Sequence, residues 1–192
     1  MTHDISALMD SAARATAPVV RGITDEQLAA PTPCSEYDVR DLLNHLLHVV
    51  IEFQKLAARR AADFKTVPDR LTGEWRARFE EETDRLVAAW SVPDALEGVS
   101  PGMGLPQRTV AYMALGDLAV HGWDLARATG QDYTPAEAAV AELVPVFEQL
   151  APMARKGGVF GAEVPAPPGA GPFEILLAAT GRDPGWTPTT HG

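Results

Sequence analysis

The sequence predicts an all-α protein, and two observations carry that prediction. The 16 prolines are unevenly spread, crowding the connections and the last 40 residues and leaving long proline-free stretches between them. Within those stretches apolar residues recur three and four apart, the helical spacing, and no segment shows the strict alternation of a half-buried strand. At 192 residues, 46% of them hydrophobic, the chain is long enough to bury one sizeable core. One domain is therefore expected over residues 1–192, with the helical core in 1–155 and a loop, short helix and tail in 156–192.

A first helix is expected over Ile5 to Ala17, with Ile5, Leu8, Met9, Ala12 and Ala15 on one face, and Pro18 ending or kinking it. After a loop containing Pro31 and Pro33, Ser35 followed by Asp38 resembles an N-cap signal. The second helix should then run to about Ala62. A third, densely charged, spans about Asp69 to Trp90, its charge marking a solvated face. The connection SVPDALEGVSPGMGLPQ is longer than most between helices, as lids and crossovers are. Gly102 and Gly104 within it follow no strand, so a phosphate loop is unsupported. A fourth helix covers about Arg108 to Thr129, stopped by Gly130. Thr134, Pro135 and Glu137 read as cap, first-turn proline and capping-box acid of a fifth, ending near Leu150 with Pro145 inside it. A short last helix covers Pro172 to Thr180 and closes at Gly181.

Charge and composition exclude several functions. With 26 acidic against 16 basic residues the net charge is -10, which repels a phosphate backbone and argues against nucleic-acid binding. No apolar run approaches the ~20 residues of a membrane-spanning helix. The opening MTHDISALMDSAARA lacks the basic start and apolar stretch of a secretory signal. One cysteine permits neither an internal disulfide nor a cysteine-only zinc site, and a cytoplasmic location is the expectation.

The fourth helix carries the strongest functional signal. Projected at about 100° per residue, Val110, Met113, Ala114, Leu118, Leu125 and Ala128 form an apolar stripe, and Asp117, His121 and Asp124 fall within it. A carboxylate and an imidazole buried together are costly unless paired or bound to a metal. Asp117 and His121 are one turn apart on one face. They can share an ion or simply bond to each other, and this helix alone does not choose. On the second helix His45 lies at the edge of the apolar arc, beside Val49 and Leu56, where it can point into a seam between helices. His48 projects to the opposite side and reads as a solvated histidine. Two histidines and one carboxylate leave coordination positions open for water or substrate, the construction of a catalytic metal site.

The stretches TPCSEYDVRDLLNHL (Thr32 to Leu46) and LAVHGWDLARATGQ (Leu118 to Gln131), with the closing FEILLAATGRDPGW, resemble an actinobacterial metal-binding family. That family is related to the N-terminal domain of mycothiol-dependent maleylpyruvate isomerase, and both belong to the DinB-like superfamily. The resemblance implies a four-helix bundle with one or two extra short helices, and a divalent metal, zinc or nickel, lying between helix faces. Its triad falls on His45, Asp117 and His121. The isomerase has Glu where this chain has Asp117, a shorter arm that affects geometry. The resemblance also implies mycothiol, or another low-molecular-weight thiol, bound as thiolate at the metal. It does not carry over isomerase activity, which involves a further C-terminal domain. Bundles of this type often pair through helix faces, so a homodimer is an expectation.

Three other groups have competing readings. Cys34 precedes a helix N-terminus, where a thiolate is favoured, but reads more simply as a small buried loop residue. Trp75 and Trp123 can line a pocket or fill the core. Asp124 can orient a ligand histidine or pair with Arg127. The function expected is a metal-dependent, thiol-dependent transferase or hydrolase-like enzyme acting on a small electrophile. The alternatives are a non-catalytic metal- or ligand-binding module and a metal-free bundle with a structural Asp–His pair.

Overall fold

A computed structural model describes residues 4–188. Its helices are α1 (Ile5–Gly22), α2 (Val39–Ala57), α3 (Trp75–Trp90), α4 (Gln107–Thr129), α5 (Glu137–Lys156) and α6 (Pro172–Ala179). Among the described residues there is no strand, only isolated antiparallel bridges pairing Pro31 with Asp38 and Val99 with Pro106. No helix among them is long and apolar enough to cross a membrane. In the bundle of α1–α4, α1 and α2 each pack against both α3 and α4. Helix α5 lies on α4 and α1 and carries α6. The bundle thus has two extra helices, but only α6 is short, since α5 runs for 20 residues.

Several boundaries differ from the sequence reading for identifiable reasons. Helix α1 continues through Pro18 to Gly22, because burial of Val19 and Val20 offsets the one rung the proline removes. The cap of α2 is Asp38, not Ser35: the Asp38 carboxylate accepts from the Asp41 N–H at 2.8 Å. The same helix stops at Ala57 rather than Ala62. Arg59 is left-handed (φ 55°), Arg60 N–H donates to the Lys55 carbonyl at 2.8 Å, and Arg59 N–H donates to Leu56 at 3.0 Å. This is the bond pair of a Schellman turn, which usually takes Gly at the left-handed residue. Arginine stands there because its guanidinium ties down the 91–107 connection, donating to the carbonyls of Asp94 and Glu97 at 3.0 and 2.6 Å.

Helix α3 begins at Trp75 rather than Asp69. The backbone of Arg70 and Leu71 donates instead to the side chains of Asn44 and Asp69, at 2.6 and 3.0 Å, which holds this stretch in the loop. Helix α5 is capped at Ala136 rather than Thr134 and runs on to Lys156 through Pro145 and Pro152. The carbonyls these prolines deprive of partners belong to Ala141 and Glu148, which are both exposed and can turn to water.

Helix α4 has no single apolar stripe. Seventeen of its 23 residues are buried, because the bundle covers one side and α5 another. Its C-terminus turns at Gly130 (φ 69°), as expected. Gly116 makes the α5 contact possible: a Cβ built there would fall 2.0 Å from the Phe147 ring. Gly116→Ala is therefore expected to destabilise the fold by about 1–3 kcal/mol, as overpacking does, read from denaturant midpoints.

His48 is not solvated. It is 2% exposed, because the 58–74 loop folds back over the face of α2 that the helical projection left outside. Its Nε2 donates to the Asp63 carbonyl at 2.7 Å, and its Nδ1 lies 3.3 Å from Arg70. Beside it Glu52, 1% exposed, accepts from the Lys55 ammonium at 2.6 and 2.8 Å and from the Asp63 N–H at 2.9 Å, with Arg70 at 3.7 Å. Burial pushes the Glu52 carboxyl up, but the Lys55 and Asp63 bonds outweigh it and hold the acid below its ordinary value of 4.5. A carboxyl depressed in the folded state stabilises above its unfolded pKa and ceases to do so as pH falls through the folded one. Urea midpoints should therefore drop below about pH 4.5. In Glu52→Gln, weaker at neutral pH by about 1–3 kcal/mol, part of that acid dependence should vanish.

Candidate metal centre

Helices α2 and α4 bring His45, Asp117 and His121 to one cavity of about 610 Å³, which Cys34, Glu36, Tyr37, Thr180 and Arg182 also line. That size lies within the ~300–1,000 Å³ of ordinary ligand pockets. His45 sits two turns into α2 and stacks on Tyr37, with ring centres 5.3 Å apart and planes 25° apart. It meets His121 edge to face, with ring centres 5.2 Å apart and planes at 88°.

His121 is oriented from behind. Its Nδ1 lies 3.0 Å from the Asp124 carboxylate, which accepts from it, so Nε2 is the ring nitrogen left without a hydrogen-bond partner among the described residues. Nε2 stands 3.9 Å from Asp117 Oδ1, beyond hydrogen-bond range. Asp124 is fully buried, and the same Oδ2 accepts from Arg182 Nη2 and Nε at 3.2 and 3.4 Å. Arg182 reaches it from just beyond α6, and its Nη1 donates to the Thr180 carbonyl at 2.9 Å. Of the two readings of Asp124 the structure has the histidine-orienting one, and its cation is Arg182 rather than Arg127.

Burial, followed by the neighbouring His121, His48 and Arg182, pushes the His45 pKa down to about 3. The ring is neutral at ordinary pH, the form that binds metals. Burial raises the Asp117 carboxyl, against the pull of His121 and Arg182. Burial also raises the Cys34 thiol, with Arg182 lowering it only in part, so Cys34 is a protonated wall of the cavity rather than a poised nucleophile. Trp75 and Trp123 belong to the core, each beneath an arginine, Arg76 at 4.1 Å and Arg127 at 5.8 Å.

The donor set suits a divalent ion in some respects. Two imidazoles bound to one tetrahedral ion through bonds of about 2.0–2.1 Å have ring centres about 5 Å apart, close to the separation of His45 and His121. Two donors on such an ion stand about 3.3 Å apart, somewhat less than the Asp117–His121 distance. Among the described residues no three His, Cys, Asp or Glu side chains are already drawn around one point. The three candidates share a cavity without forming a finished cage.

Sequence reasoning missed Arg182 and Tyr37 as parts of this site. Arg182 lies 58 residues from Asp124, and its only signal was its place in the FEILLAATGRDPGW segment. Tyr37 precedes α2 and carried no periodicity.

The family described as mycothiol maleylpyruvate isomerase N-terminal domain matches residues 9–126, which include His45, Asp117, His121 and Asp124 but not Arg182. Proteins from two strains of Mycobacterium tuberculosis, both described only as uncharacterized, are 32% identical over 176 residues, covering 88% of this chain and 92% of theirs. These relatives agree with the actinobacterial resemblance of the motifs. No solved structure matches the chain significantly.

Proposed function

We propose that this chain, which belongs to the mycothiol maleylpyruvate isomerase N-terminal domain family, holds one divalent metal ion on His45, Asp117 and His121 and acts with a low-molecular-weight thiol on a small electrophile. The observation that carries this reading is the meeting of a neutral His45 with a His121 whose Nδ1 is held by Asp124, which leaves Nε2 for the cavity. A carboxylate behind a histidine fixes the tautomer and orientation a metal ligand needs. A bound divalent ion, zinc or nickel, would supply Lewis-acid activation of a thiol or water. The chain's own residues do the rest: Asp117 sets the charge of the donor set, Tyr37 packs His45 in place, and the apolar walls keep water from the reacting groups.

A second reading, a metal-free bundle that binds a small ligand, is favoured by the absence of a closed three-donor cluster among the described residues. Elemental analysis of protein purified without a histidine tag separates the two. About one equivalent of zinc or nickel is the expected result. Metal-free protein that binds neither ion when titrated would leave the second reading standing.

A further inference from the structure

The walls of the cavity are more specific than its histidines. The polar groups of the lining are linked by contact, Tyr37 to His45, His45 to His121, His121 to nearby Asp117 and, through Asp124, to Arg182, while other walls come from side chains such as Phe53, Met113, Phe147 and Phe160. Arg182 is 7% exposed, and its three hydrogen bonds, two to Asp124 and one to Thr180, use three of its five N–H donors. Each of its three nitrogens thus has one protein partner, and one N–H on Nη1 and one on Nη2 remain without a protein acceptor among the described residues, in a residue that lines the cavity.

We propose that the cavity takes an amphiphilic acid, a molecule with an extended apolar or aromatic body and one carboxylate. The body lies along the apolar walls between α2, α4 and α5, and the carboxylate accepts from the free N–H donors of Arg182. A planar guanidinium suits two parallel bonds to a carboxylate better than a single polar atom. Asp117 and Asp124 face the same guanidinium, and Glu36 lies at the cavity wall. The anion's gain therefore comes from paired donors and from the desolvated cavity rather than from a net positive field. This reading names the substrate class of the cavity assigned above and rests on that assignment only for catalysis; binding of the acid does not need the metal.

The test is calorimetric titration of the wild-type protein, once as purified and once after chelation, with hexanoate, octanoate, decanoate, decanol and acetate. Saturable one-to-one binding of decanoate is expected in both preparations, at least ten-fold tighter than decanol. Affinity should rise about ten-fold for each two methylenes from hexanoate to decanoate, and acetate should not bind measurably. The paired variant Arg182→Gln/Asp124→Asn, which removes both buried charges together, should weaken decanoate at least ten-fold and leave decanol unchanged. Decanol binding as tightly as decanoate, no gain with chain length, or undiminished decanoate binding in the paired variant would each overturn the proposal. Loss of decanoate binding on chelation alone would also overturn it, placing the carboxylate on the metal. Metal content is read separately, so a protein without metal that binds decanoate refutes the metal reading and leaves this one intact.

Discussion

Arg182→Met is expected to lower the unfolding free energy by about 3–5 kcal/mol, the usual cost of removing one partner from a buried ion pair. Asp124 is fully buried, and Arg182 is the one cation bonded to it among the described residues. Methionine fills much the same space, so the loss comes from charge rather than from a cavity. Asp124 Oδ1 already lacks a partner, which leaves the carboxylate only His121 Nδ1 once the guanidinium is gone. Adding Asp124→Asn to Arg182→Met should recover a large part of the loss, because a neutral amide no longer needs the cation. A denaturant-melt double-mutant cycle reads this as strong coupling. Additive effects would mean that the pair is solvated and contributes little.

Arg182 also shows where the sequence stopped being legible. The helical architecture follows from proline placement and periodicity, which are local properties, and the expected segments all appear. Boundaries failed where a long-range contact took over, as at Arg59, which ends α2 in order to hold the 91–107 connection. His48 was misplaced for the same reason. A helical projection knows only its own helix, and here a loop covers the outer face. Asp117 and His121 were legible because a polar pair among apolar residues needs an explanation whatever lies across from it. Helix α4 is buried nearly all round, so the stripe that singled them out was an incomplete picture, and the structure places both residues on the wall of one cavity. His45 owed more to the family motif than to its marginal projection, and the structure places it edge-on to His121. Nothing local could pair Arg182 with Asp124 across 58 residues.

A graded series of metal affinities is the result expected from the proposed centre. His121→Ala removes a direct donor, and His45→Ala removes the one donor contributed by α2. Each should reduce bound metal to background after dialysis against a weak chelator. Asp124→Asn is the informative member. Its amide oxygen can still accept from His121 Nδ1, so the ring stays in place, but the negative charge that makes the imidazole a better donor is lost. Changes behind a ligand histidine cost about 10–100-fold in metal affinity, so Asp124→Asn should fall between wild type and the two alanine variants. Asn at 124 also leaves Arg182 without its counter-ion, so the comparison is made on protein shown to be folded by its far-UV circular dichroism. If Asp124→Asn matched wild type while His121→Ala lost all metal, Asp124 would serve the buried pair with Arg182 and not the ligand. If His121→Ala kept its metal, the ion would sit elsewhere, and the edge-to-face meeting of His45 and His121 would be a packing contact.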